Sequence, residues 1–314
     1  MHSYSLIAPA KINLYLEIIG DRPDGYHELA MILQSIDLAD RIHLRSNGTE
    51  AIRVQCDDPQ VPVDASNLAH KAAAVMKEAF PEAFRRYGGV DIMIYKRIPM
   101  GAGLAGGSTN AAAVLVGLDL MWNLGLTQGE IQELGGRIGS DVPFCVAGGT
   151  AIATGRGEKL SPLPSLEGLY AVLAKYQSLP VSTVWAYKSY REHFQSTYVS
   201  DDESLIGRRQ RVHAGAMVSA ILHQDGAKIG QQLHNDLEKV VLPAYPLVAE
   251  LREKLAQLDT LGVMMSGSGS TVFALTDSLP QAERIRQALR ELLPDPHLGI
   301  WTTQLIGGGI RLEN

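Results

Sequence analysis

The sequence predicts a two-domain α+β protein, on three observations. The chain has 314 residues, and at roughly 100 to 200 residues per domain two cores are the first expectation. From Tyr170 onward, strand-like and helical stretches follow one another in a βαα…βαβ order, which suits a small layered α+β structure. The stretch Ser161 to Gly168, SPLPSLEG, is punctuated by two prolines, two serines and a glycine, which makes it the boundary between domains at 1–160 and 168–314.

Each element has its own signal. Tyr4 to Ile19 mixes alternation with apolar runs, and DRPDGYH, Asp21 to His27, supplies turn chemistry through Pro23, Asp24 and Gly25, so a β-hairpin opens the chain. Arg41 to Arg45, Ala51 to Gln55 and Val90 to Tyr95 read as further strands, and Ser66 starts an alanine-rich helix reaching about Phe80. A glycine loop leads into a helix from about Ser108 to Asn123. Thr127 and Glu130 then form a T-x-x-E capping box for a helix ending near Gly139. After the boundary, Tyr170 to Tyr176 reads as a strand, followed by helical patterns at Thr183 to His193, Val212 to His223 and Tyr245 to Leu258. A strand-turn-strand at Gly262 to Leu275, a helix from about Pro280 to Leu293 and a strand at Leu298 to Thr303 complete the chain. Ser196 to Arg211 is polar and charged, and reads as a solvated surface loop. No repeat of 20 to 50 residues is present.

Composition removes several classes of function. Hydrophobic residues make up 46% and charged residues 20%, the balance of an ordinary globular protein and not of a disordered chain. Ala111 to Trp122 falls short of the roughly 18 apolar residues that a spanning helix needs, and Asp119 interrupts it. The N-terminal segment lacks a basic lead, an unbroken apolar core and a small-residue cleavage site, so a cytoplasmic protein is expected. A formal charge of −6 opposes a phosphate backbone, which argues against a nucleic-acid partner. Cys56 and Cys145 form no CxxC and have no ligand-spaced histidines nearby, which removes disulfide scaffolds and structural zinc.

PMGAGLAGGSTNAA, Pro99 to Ala112, sets four glycines between a strand and a long helix. Such a loop frees consecutive N–H groups and a helix N-terminus to face one anion, and phosphate is the natural guest. Ser108 and Thr109 add hydroxyls that either cap the helix or bind phosphate and Mg²⁺. A tight structural turn with a capped helix is the plainer alternative. Gly101, Gly103 and Gly106 also satisfy G-x-G-x-x-G. However, the dinucleotide fingerprint needs an acidic residue at the end of a following strand, and Asp119 lies instead within the next helix. Gly20 and Gly25 have P-loop spacing but are followed by Tyr26-His27 where Lys-Ser/Thr is required.

Three separated segments, PAKINLYLEIIGDRPDGYHEL, PMGAGLAGGSTNAA and MMSGSGSTVFAL, in this order and spacing, resemble the three motifs of the GHMP kinases. The likeness covers nearly the whole chain. Within that family, DGYH, GSDVPF and HNDLE (His234 to Glu238) resemble the branch that acts on a cytidine-diphosphate-linked methylerythritol in the non-mevalonate route to isoprenoids. The resemblance implies an N-terminal β/α domain with a left-handed crossover, a ferredoxin-like C-terminal domain, and an active site between them. It also implies transfer of phosphate from ATP, with Mg²⁺, to the 2-hydroxyl of that substrate. One departure is Ala105, where many members carry glycine.

The resemblance also distributes roles. Asp141 can be a helix N-cap with Pro143 in the first turn, but it matches the family's catalytic aspartate, able to accept the hydroxyl proton. Lys11, a lone cation between Ala10 and Ile12, matches its partner, although a snorkelling lysine is the alternative. Pro99, Gly101, Gly103, Leu104, Ala105, Gly106, Gly107, Ser108 and Thr109 match the ATP loop. Ser268 and Gly269 belong to a second glycine-serine turn that supports it and that also reads as a plain hairpin. Asn13, Tyr26 and His27 match the residues that place the substrate and grip its cytosine, and Tyr187 resembles the opposite face of a base sandwich. Taken alone, Tyr26-His27 also reads as a hairpin pair and Tyr187 as a core tyrosine. Ser108, with the ATP phosphates and waters, is the economical Mg²⁺ ligand. Lys96, Arg97, Arg156 and Lys159 carry no assigned role.

Overall fold

A computed structural model describes residues 3–199, 201–213 and 215–313. The chain opens with two long antiparallel strands, β1 (Ser3–Asp21) and β2 (His27–Ser46), joined by the turn that Asp24 and Gly25 predict. Gly25 takes φ 84° there. The amide of Arg22 donates to the Tyr26 carbonyl at 2.8 Å, and that of Tyr26 to the Asp24 carboxylate at 3.2 Å. Both strands are buried over much of their length. Double-sided burial erases alternation, which is why the stretch 28–40 gave no strand signal of its own.

β3 (Ile52–Cys56), α1 (Leu68–Ala79), α2 (Pro81–Tyr87) and β4 (Val90–Tyr95) follow, with β3 and β4 parallel neighbours. The cap of α1 is Asn67, whose side chain accepts from the Ala69 amide at 2.8 Å; Ser66 instead bonds Asp64. Next come α3 (Gly106–Trp122), α4 (Gln128–Gly136), α5 (Val142–Ala147), β5 (Thr150–Gly155) and β6 (Lys159–Leu163). The capping box of Thr127 and Glu130 is formed in both directions. Helix α3 is buried almost all round and lies hard on the sheet: a Cβ at Gly117 would sit 2.2 Å from a methyl of Leu44. One apolar core fills the space between α1, α3 and the Leu6, Ala8, Ile42 and Leu44 side of the sheet.

The second half contains β7 (Tyr170–Tyr176), α6 (Thr183–Phe194), α7 (Asp202–His213), α8 (Ala216–Leu222), α9 (Gly226–Gln231), β8 (His234–Asn235), α10 (Glu238–Ala244), α11 (Pro246–Ala256), β9 (Gly262–Met265), β10 (Val272–Thr276), α12 (Leu279–Leu292), β11 (Leu298–Gln304) and β12 (Arg311–Leu312). Its own sheet is antiparallel in the order β11-β7-β10-β9, the arrangement of a ferredoxin-like layer. The expected surface loop at 196–211 is corrected: most of it is helix α7. An Asp201 cap, accepting from the Ser204 amide at 2.8 Å, starts that helix, and Val212 anchors its end in the core.

The two halves are not separate. β8 runs parallel to Tyr15 and Leu16, and β12 pairs antiparallel with Leu6 and Ile7. Two further cores join β1 and β2 to the second sheet and its helices. Among the described residues, no helix is long and apolar enough to cross a membrane.

Candidate active site

The middle of β1, the glycine loop, the start of α5, the β1–β2 turn and α6 converge on one cavity of about 880 Å³. Lys11 is on the buried part of β1, and its amide donates to the Leu104 carbonyl at 3.2 Å, which ties the strand to the glycine loop. The Lys11 ammonium donates to Asn13 Oδ1 at 2.7 Å and lies 3.8 Å from Asp141 Oδ2. The lysine side chain is 6% exposed and that of Asp141 32%, so the carboxylate is the partner open to a ligand. Asp141 stands at the N-cap position of α5, yet its side chain caps nothing. The capping alternative is thereby removed, and the carboxylate remains available for chemistry.

The glycine loop turns through left-handed residues Gly101, Gly103 and Ala105, at φ 55°, 71° and 58°. Gly103 is obligatory twice over, because a Cβ there would lie 2.0 Å from the Ser266 carbonyl oxygen. Ala105 is the N-cap of α3 and has no oxygen to offer, so the first amides of the helix point outward without an internal acceptor. With the helix dipole they make an anion site. Lys96 adds a cation here: a Cβ at Gly106 would meet its ammonium at 2.9 Å. Buried Asp40 pairs with that ammonium, takes the Arg97 and Ile98 amides at 2.7 and 2.8 Å, and accepts from Asn110 at 2.8 Å.

Tyr26, His27 and Tyr187 line the cavity together, with the His27 and Tyr187 rings 5.1 Å apart. Tyr26 is 54% exposed, under the Arg156 guanidinium, which lies 4.9 Å from its ring centre. Burial, and then the neighbouring Arg191 cation, push the His27 pKa below the usual histidine value against an opposing pull from Asp21. The neutral ring therefore keeps one free nitrogen, and Nε2 is buried without a hydrogen-bond partner. Burial, and then the Asp141 charge, push the Tyr187 hydroxyl well above its ordinary value, so it stays a neutral phenol. The Cys145 thiol is pushed up by the same two causes, which removes it as a nucleophile.

Of the residues singled out in the sequence, Lys11, Asn13, Tyr26, His27, Pro99, Gly101, Gly103 to Ser108, Asp141, Tyr187 and Ser268 all line this cavity. Two do not. Thr109 is fully buried beside Cys145, and Gly269 lies behind the turn against Met265. Residues to which the sequence reading assigned no role also line it: Lys96, Asn110, Arg156, Thr183, Lys188 and Arg191, with an apolar wall of Val61, Pro62 and Leu68. Lys96 borders the loop in sequence, but its partner Asp40 lies on another strand. Among the described residues no cluster of three His, Cys, Asp or Glu side chains could hold a metal.

The profile described as "GHMP kinases N terminal domain" matches residues 67–149, and "GHMP kinases C terminal" matches 217–295. Relatives from Nostoc punctiforme and Trichodesmium erythraeum, both named 4-diphosphocytidyl-2-C-methyl-D-erythritol kinase, are 65% and 64% identical. They align with 100% of this chain and with 99% and 100% of their own. A solved 4-(cytidine 5'-diphospho)-2C-methyl-D-erythritol kinase superposes with a TM-score of 0.73 at 31% identity, over 97% of this chain and 100% of its own. A homoserine kinase from Cytophaga hutchinsonii, with a TM-score of 0.77 at 19% identity over 100% of this chain and 98% of its own, shares the fold. The chain belongs to the GHMP kinases and, within them, to the family of 4-diphosphocytidyl-2-C-methyl-D-erythritol kinases.

Proposed function

We propose that this chain transfers the terminal phosphate of ATP to the 2-hydroxyl of 4-diphosphocytidyl-2-C-methyl-D-erythritol. The observation that carries the reading is the uncapped Asp141 carboxylate, 3.8 Å from the Lys11 ammonium, in the same cavity as the open amides of α3. Those amides, from Gly106 onward, receive the ATP phosphates, and Leu68, packed beside Gly107, belongs to the apolar wall that takes the adenine. Ser108, half-buried in the cavity, is the residue that would hold Mg²⁺ together with the ATP phosphates. The ion supplies charge neutralisation on the transferring phosphate.

Asp141 accepts the proton of the attacking hydroxyl, and Lys11, kept in place by Asn13, offsets the negative charge growing on that oxygen. Tyr26 and Tyr187 hold the cytosine by its faces, and the free His27 nitrogen reads its edge. Binding of the remote base thus places a hydroxyl that would otherwise wander, so a substrate lacking the cytidine diphosphate loses kcat as well as affinity.

The test is ATP consumption by the purified protein against a panel of alcohols. Turnover with the cytidine-diphosphate-linked methylerythritol, and little with free methylerythritol, homoserine or mevalonate, is the expected result. Preferred use of homoserine or mevalonate overturns the assignment.

A further inference from the structure

No residue of the segment His234 to Glu238 lines the cavity itself, yet its buried amide side chain reaches the turn behind it. Asn235 is 4% exposed. Its Nδ2 donates to two carbonyls of the second glycine-serine turn, Met265 and Gly267, both at 2.8 Å, while its Oδ1 accepts the Leu237 amide at 3.0 Å. Both amide hydrogens are therefore committed to one turn. From the other side, Glu238 accepts the Met265 amide at 2.8 Å and Arg252 Nε at 3.0 Å.

That turn is in direct contact with the catalytic side of the molecule. Ser266 Oγ donates to the Gly103 carbonyl at 3.1 Å, and Ser268, in the cavity lining, shares a 2.8 Å hydrogen bond with Thr183. A Cβ at Gly267 would lie 3.2 Å from Asn13 Oδ1, the atom that holds the Lys11 ammonium. Asn235 itself sits in β8 beside Leu16, on the same strand as Lys11 and Asn13.

We propose that Asn235 is a positioning residue for the phosphate-binding loop: it clamps the 265–267 turn to β1, and the turn in turn sets Gly103 and the amides that follow it. This rests on the reading that the loop around Gly103 to Ser108 binds ATP phosphates. The aromatic cluster of Tyr26, His27 and Tyr187 is held by the β1–β2 turn and α6, and α6 meets the glycine-serine turn through the Ser268–Thr183 hydrogen bond, not through the Met265 and Gly267 carbonyls that Asn235 holds. A residue that merely stabilises the fold would weaken binding of both ligands together or of neither.

The experiment uses the full chain with Asn235→Asp, which keeps the size and replaces the one nitrogen that donates both bonds by an oxygen facing two carbonyls. Calorimetry measures a non-hydrolysable ATP analogue and cytidine 5'-diphosphate separately, on protein shown to melt cooperatively. The expected result is an ATP-analogue affinity lower by about tenfold or more, with cytidine diphosphate affinity within about twofold of the unaltered protein. Asn235→Ser retains one donor and should lie between the two, and it takes over the test if Asn235→Asp does not fold. Ser266→Ala, which cuts the link to Gly103, should weaken the analogue by about threefold, and the two losses should combine to less than their product because they share one path. Parallel loss of both ligands, or unchanged ATP-analogue affinity in a folded variant, overturns the proposal. Failure of the unaltered protein to bind the ATP analogue at all overturns the phosphate-loop reading beneath it.

Discussion

The two ends of the cavity offer opposite means of recognition. At the start of α3 the contacts on offer are backbone amides, fixed by left-handed turns and by a second turn packed behind them. At the aromatic end they are side chains, Tyr26, His27 and Tyr187, projecting from a hairpin turn and a helix. Backbone recognition suits a phosphate, which is the same whatever it is attached to; side-chain recognition suits a base, which must be told from others. Lys11 and Asp141 belong to neither mode. In the proposed reading they face the place where the two ligands meet.

The largest effect expected is therefore on neither binding end. Asp141→Asn keeps the shape of the carboxylate but cannot take the proton, and kcat should fall by about 10² to 10⁴. Affinity for an ATP analogue and for cytidine diphosphate should both survive. Steady-state kinetics with paired calorimetry checks this, and a kcat within a few fold of the unaltered enzyme would remove Asp141 from the role of base.

A middle-sized effect should follow at the aromatic end alone. His27→Ala leaves a polar base edge unpaired and should cost about 1 to 3 kcal/mol in kcat/KM for the cytidine-linked substrate, with ATP affinity nearly unchanged. Its pH dependence has a defined sign. Because burial and Arg191 lower the His27 pKa, the neutral ring is favoured in the folded protein, and acidification below the ordinary histidine range charges it against that preference. KM for the acceptor should rise, and stability fall, as pH drops through that lowered value; the acid limb in KM should vanish in His27→Ala. An acid limb unchanged in the variant would assign the titration to another group.

The smallest effect tests the backbone end. Ala105 holds φ 58°, a region where a Cβ crowds the following carbonyl. Ala105→Gly should raise stability by about 0.5 to 1 kcal/mol, read as a shift of the denaturant midpoint at constant slope, with the phosphate loop still functional. A lower midpoint would mean that the Ala105 methyl contributes more by packing than its backbone costs.

What the sequence made legible is what depends on neighbours in the chain. The turn at Asp21 to His27, the capping box of Thr127 and Glu130, and the glycine loop each declare themselves within a few residues. The middle of β2 did not, because burial on both faces replaces alternation by a mixed run. Helix α7 did not, because its composition is polar and its Asp201 cap was hidden among other acidic residues. Ser108 and Thr109 were equivalent as letters; only the phase of α3 sends one into the cavity and the other towards Cys145. Asp40, Lys96 and Asn110 form one network across three elements, and Asn235 meets its partners only after α10, α11 and β9 have been laid down. Side chains whose partners are distant in the chain carry no local mark.

The pairing of β12 with β1 has a consequence for how the molecule comes into being. Leu6 faces Leu312 across that ladder, so β1, paired with β2 on its other side, receives this second strand neighbour only after all the residues between them have been made. Until then the outer edge of β1 presents free amides and carbonyls to whatever is close by. Domain-by-domain folding during synthesis can close the core beneath α3 early, but the border of the first sheet is sealed last. The nascent chain must therefore keep that edge unsatisfied while the intervening residues are made, and that interval is when a second copy, or a chaperone, has its opening.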